Sequence, residues 1–194
     1  MAKLILHADY ASTQTPVDTD RILVGQDYAT TPVFKHIPNT TYKAFLKTYF
    51  DTLYATTQNA YTTADFSKTS NTTLENVPGL TANVAAAGVY RFRVNLVLSC
   101  DASGGAKVAL SGTCTKTNLN ATVIRAPASS PVASNITALD ASSGGTAAYV
   151  NISIDGSIVV NQAGTLTVQF AQNASFATAS IVLLGSTFTV TKIG

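Results

Sequence analysis

Charge is what this chain has least of: Asp, Glu, Lys and Arg make up 11% of its 194 residues, against about 25% in an ordinary soluble domain. The 12 basic and 10 acidic side chains balance to a net +2 and never cluster. Without a stripe of cations there is nothing to track phosphates, which argues against nucleic acid as a partner. Histidine is scarce too, with His7 and His36 alone and both near the N-terminus, so the usual general base of neutral-pH catalysis is missing from the C-terminal half. No Gly-x-Ser-x-Gly elbow occurs, and the carboxylates Asp101, Asp140 and Asp155 each sit where a turn is expected, so an enzyme is not expected. Two cysteines, Cys100 and Cys114, cannot make a disulfide framework. A simple hairpin about Ala102–Ala106 would not set them opposite one another, so free thiols are the expectation. Hydrophobic runs are short. Leu4-Ile5-Leu6 falls below the roughly 7–15 apolar residues of a signal h-region, and nothing approaches the roughly 18 of a membrane span. The expectation is a product made in cytoplasm, with no membrane partner.

What the chain does have is apolar surface without charge. Hydrophobic residues are 46% of the total, and Ser and Thr together are roughly a quarter. That is enough to build one packed core, and the length suits one domain of about 100–150 residues plus an appendage. From about Gly88 the pattern takes period two: Tyr90, Phe92, Val94, Leu96 and Leu98 alternate with Arg91, Arg93 and Asn95, as in an antiparallel strand with one core face and one wet face. Further strands are predicted at Lys107–Ser111, Asn118–Arg125, Ala147–Ser153, Ser157–Val160, Thr165–Ala171, Ser180–Leu184 and Ser186–Lys192, the spacing of a sandwich. The stretch Ala126–Thr146, with Pro127 and Pro131 among Ala, Ser, Asn and Gly, reads as a long surface loop and a candidate contact. The fold class expected from this patterning is all-β, an antiparallel β-sandwich in the C-terminal part of the chain.

Residues 1–72 read as an extended N-terminal arm, with prolines at Pro16, Pro32 and Pro38 and few clean strands. One helix is predicted at about 41–54, where Tyr42, Phe45, Leu46, Tyr49, Phe50 and Leu53 recur at helical spacing behind a Thr40 or Thr41 cap. A short helix depends on packing, so this stripe must bury against its own sandwich, a sister subunit or a larger scaffold. No metal or cofactor is expected. Asp18, Asp20, Gly25 and Asp27 lack the ligand spacing of a calcium loop, and Gly104-Gly105 and Gly144-Gly145 miss both phosphate-binding fingerprints. The six Asn-x-Ser/Thr tripeptides are what so much Ser and Thr produces by chance.

Two groups of residues carry a family resemblance. The segment from Leu80 through Val94 to Leu98, the run Ala163-Gly-Thr-Leu-Thr-Val-Gln-Phe-Ala and the closing Leu184-Gly-Ser-Thr-Phe-Thr-Val-Thr-Lys-Ile-Gly resemble the TNF/C1q-like jelly rolls of phage virion proteins. Thr19-Asp-Arg-Ile-Leu-Val-Gly-Gln-Asp and Asp51-Thr-Leu-Tyr-Ala are similar to segments near the start of phage fibre and decoration proteins. The resemblance implies an antiparallel jelly-roll sandwich over residues 73–194 and a homotrimer in the virion, assembled in the host cytoplasm, with the arm on the major capsid protein or on tail proteins. On that basis the chain would be a capsid decoration or cement protein; the alternative is a short tail fibre or adhesin, for which a host receptor is the partner. The aromatics Tyr90, Phe92, Tyr149, Phe170 and Phe188 would then line a trimer axis or pack the core.

Overall fold

A computed structural model describes residues 21–26, 33–38, 40–44, 46–47, 57–85, 87–127 and 130–194, with backbone alone for 21–26 and 33–38. The chain divides into two compact units, Met1–Ala55 and Thr56–Gly194. In the first, β1 (Arg21–Gln26) and β2 (Val33–Pro38) form an antiparallel pair with Leu23 opposite His36. Residues 40–44 and 46–47 are helical; the rest of the predicted 41–54 helix lies outside the described residues.

The second unit is β3 (Thr57–Tyr61), β4 (Phe66–Lys68), β5 (Glu75–Val84), β6 (Gly88–Ser99), β7 (Ala106–Ser111), β8 (Thr115–Pro127), β9 (Val132–Ile136), β10 (Ser142–Gly145), β11 (Tyr149–Gln162), β12 (Gly164–Ala171), β13 (Ser180–Val182) and β14 (Thr187–Lys192). From β5 to β12 the chain is one antiparallel ribbon doubled on itself. β8 pairs with β9, β7 with β10, β6 with β11 and β5 with β12. Two more ladders, β11 on β8 and β12 on β7, roll that ribbon into two sheets, β5-β12-β7-β10 and β6-β11-β8-β9. This is a jelly roll. β14 then adds to the free side of β6 and β3 to β14, so the larger sheet runs β3-β14-β6-β11-β8-β9, while β13 bridges the end of β6 to β4.

Period two is what makes the sandwich close. The even-numbered residues Tyr90 to Leu98 of β6 are all buried, as are Leu119, Ala121 and Val123 of β8, Ile152, Ile154 and Ile158 of β11, and Phe188 and Val190 of β14. They meet Val77, Leu80, Ala82 and Val84 of β5, Val108 and Leu110 of β7 and Leu166, Val168 and Phe170 of β12 in one core. Phe66 stands edge-on to Phe170 at 6.5 Å between ring centroids, the arrangement that aromatic quadrupoles favour.

The structure departs from the sequence reading in four places, each for a physical reason. Residues 57–68, read as arm, pair with the sandwich through β3 and β4; β3 is an edge strand that turns little apolar surface inward, so its alternation is faint. β5 is not among the predicted strands, although it lies within the sandwich segment. It lies at the edge of its sheet, where Pro78 needs no ladder partner, and Gly79 (φ +84°) takes the left-handed backbone where a Cβ would strike the Tyr61 carbonyl. Ala126–Thr146 is no continuous loop, because β8 runs on to Pro127 and β9 and β10 lie within it. Both are short edge strands, which limits unwanted pairing and leaves little pattern to read. Asp155-Gly156 is not a turn but the middle of β11. Gly156 is there because β8 passes so close that a Cβ would stand 2.7 Å from the Ala121 Cα.

Candidate functional site

The outward side chains of the larger sheet form a broad polar face in regular rungs. One rung runs Asn59, Thr189, Arg93, Asp155, Thr122, Asn135 across all six strands. Thr189 Oγ1 donates to Asn59 Oδ1 at 3.0 Å, Arg93 Nε to Asp155 Oδ2 at 2.8 Å and Thr122 Oγ1 to Asn135 Oδ1 at 3.4 Å. In the next rung towards β6's start, Arg91 reaches the same carboxylate at 3.5 Å, and Thr57 and Thr191 share a hydrogen bond of 3.0 Å. On the other side Tyr61, Thr187, Asn95, Ser153 and Ile124 form a third rung, tied diagonally by Asn151 Nδ2 on Asn95 Oδ1 at 2.7 Å. Arg91, Arg93, Thr189 and Thr191 surround a depression of about 310 Å³. Both arginines are more than 60% exposed, so the ion pairs with Asp155 are screened and add little stability. The face can offer hydroxyl, amide and guanidinium donors to a polar surface laid on it.

Apolar residues break out at the margins of this face. Tyr61 is 60% exposed at the β3 edge and Ile124 is exposed near the end of β8, while Val132, on the Arg125 side of its ladder, and Val150 are exposed at the same end of β9 and β11. At that same end Arg125 points inward and is buried, with Nη1 donating to Ser143 Oγ at 2.6 Å. Sequence reading passed over Arg125, yet its phase with Leu119, Ala121 and Val123 was a readable sign that a cation occupies a core position.

The other expected site residues fall as follows. Tyr90, Phe92, Tyr149, Phe170 and Phe188 are all buried within the sandwich of the single chain. The Tyr90 hydroxyl exchanges hydrogen bonds with the Ala85 backbone. Of the helix stripe, Tyr42 and Leu46 are half-buried on one helical turn; Phe45, Tyr49, Phe50 and Leu53 lie outside the described residues, as do His7, Asp18, Asp20 and Asp27. Both cysteines are free. Burial pushes the Cys100 thiol above its ordinary pKa, against hydrogen bonds from Ser180 and the Ile181 backbone, and burial likewise raises Cys114; neither is primed as a nucleophile. Among the described residues no three His, Cys, Asp or Glu side chains are grouped to hold a metal, and no helix is long and apolar enough to cross a membrane.

Ladder by ladder, the second unit is a jelly-roll β-sandwich protein. No protein-family model matches the chain, and no curated protein matches it. Among solved structures it is similar to Eiger TNF from S. frugiperda, at 10% identity over 72% of this chain and 93% of that one, with a TM-score of 0.38. It is also similar to a chain of the infectious bursal disease virus Gt strain (11% identity, 90% of this chain and 42% of that one, TM-score 0.21). The infectious bursal disease virus VP2 subviral particle matches at 12% identity, over 90% of this chain and 45% of that one, with a TM-score of 0.21. The chain spans less than half the length of these two viral chains. The fold class rests on the strand ladders themselves.

Proposed function

We propose that the chain is a non-enzymatic structural component of a bacteriophage particle, a homotrimeric capsid decoration or cement protein that grips the shell through its N-terminal segment. The observation that carries this reading is the division into two units, of which Thr56–Gly194 closes a complete core from its own strands. On this reading the first unit, Met1–Ala55, whose sequence carries the apolar stripe from Tyr42 to Leu53, is the part that grips the major capsid protein. The rungs of Thr, Asn, Arg and Asp on the larger sheet supply a polar surface for sister subunits, its side chains hydrogen-bonded to one another along the rungs. Imaging of intact particles with and without the gene product tests the reading. Density for three copies around a local threefold on the shell, with loss of heat and osmotic resistance in its absence, is expected. A tail-only location, or particles unchanged by its removal, overturns it.

One observation favours a second reading, a short tail adhesin. Tyr61 stands widely open at the edge of the sandwich, 60% exposed and opposite Thr187 in the ladder, and an exposed ring flanked by hydroxyls suits a neutral sugar. Exchanging residues 56–194 between two phages of different host range separates the readings. A transferred host range supports the adhesin, and an unchanged one removes it.

A further inference from the structure

Arg125 continues the inward phase of β8 and is 7% exposed. The other buried cation among the described residues, Lys68, is paired with Glu75; Arg125 has no carboxylate among the described residues. Its Nη1 donates to Ser143 Oγ at 2.6 Å, and Ser143 Oγ in turn lies 2.5 Å from Ser134 Oγ. Its Nε is buried with no hydrogen-bond partner. A guanidinium keeps its charge when buried and carries five N–H donors, and each hydroxyl adds one more. Within the cluster only the Nη1 bond and the serine pair consume donors, so it holds a surplus of donors and no negative charge. An unpaired buried charge and an unpaired buried donor are both costly, and native structures seldom keep either.

We propose that Arg125, Ser134 and Ser143 form a binding site for a small oxyanion, a phosphate, sulfate or carboxylate group held between the ends of the two sheets. An oxyanion supplies only acceptors and negative charge, which are the two things this cluster lacks. The free Nε shares the guanidinium edge along which carboxylates and phosphates are taken side-on. The site has a way in: β9 and β10 are the last strands of their sheets, Ser134 is half-exposed, and Val132, opposite Arg125 in the ladder, is 46% exposed.

Thermal unfolding of the full chain in phosphate, sulfate or acetate, against chloride at matched ionic strength, tests the site. Sulfate and phosphate stabilise most proteins by exclusion, without saturating, so the readout is the saturable part of the response and its dependence on Arg125. The wild-type midpoint is expected to rise and level off with phosphate, and Arg125→Met to lose that saturable rise. Equal responses in the two overturn the proposal. Should Arg125→Met fail to fold, Ser134→Ala and Ser143→Ala carry the comparison, at least one of them expected to weaken phosphate binding by about tenfold or more, the worth of one hydrogen bond to a charged group; unchanged affinity in both overturns it. So does a wild-type chain indifferent to all three anions whose oligomeric state changes on Arg125→Met, since a carboxylate from a second copy then occupies the place.

Discussion

The two sides of the sandwich are closed by opposite means. On the β3/β5 side a single neutral amide joins the sheets: Gln58 Nε2 donates to the Asn83 carbonyl and the Asn83 N–H donates back to Gln58 Oε1 at 3.0 Å. Donor and acceptor are matched, and the joint is complete within the chain. On the β9/β10 side the joint is Arg125 with Ser143 and Ser134, which leaves Nε without a partner. Both joints span the same core, so the difference lies not in packing but in the balance of donors and acceptors. A side that is balanced can face water as it stands, whereas a side with surplus donors calls for something to accept from them.

The centre gives the scale for both sides. Phe170, fully buried against Phe66, is expected to cost about 3–5 kcal/mol on replacement by alanine, read from the urea midpoint; a loss under about 1 kcal/mol would mean the core between the joints is not what holds them apart. Gln58→Ala removes the balanced joint, with an expected loss of about 0.5–1.5 kcal/mol. That loss should be the same in chloride and in phosphate buffer. If it varies with phosphate, the two sides are coupled and the contrast between them fails. Smallest is the effect of Cys100, at the end of β6. Because burial raises its pKa when folded, the native state keeps the proton longer than the unfolded chain does, so its stabilisation is present below the ordinary value of 9.0 and is lost as pH climbs beyond it. The stability difference between wild type and Cys100→Ala should therefore shift against the wild type as pH rises past that value, and a flat difference from pH 7 to 10.5 would dispose of the effect.

How much of this was readable in advance depended on how much pattern each strand needed. β6 declared itself because twelve residues alternate without a break between a buried face and a wet one. β9, five residues long and mostly exposed, needs almost no apolar side chains, so a loop was the natural reading of its Ala, Ser and Asn. Asp155-Gly156 reads as a turn because that dipeptide favours one, but the glycine answers the close approach of the neighbouring strand β8, which only the fold reveals. The class of fold followed from the inward phase of the long strands. The Arg125 cluster did not, since Ser134 and Ser143 are brought to it by two strands that the pattern never announced.

Doubling the ribbon has a consequence in time. Its outermost pair joins residues 75–84 to residues 164–171, and the added strands tie residues 57–61 to the last strand, 187–192. Contacts so distant in sequence make for slow folding, since the loop entropy is spent before the contacts return it. A growing chain emerges at about 5–20 residues per second, and through most of that emergence β5 and β3 have no partner to pair with. The hairpin β8–β9 is the one ladder of the larger sheet whose two strands leave the ribosome almost together, which makes it the natural place for the roll to begin.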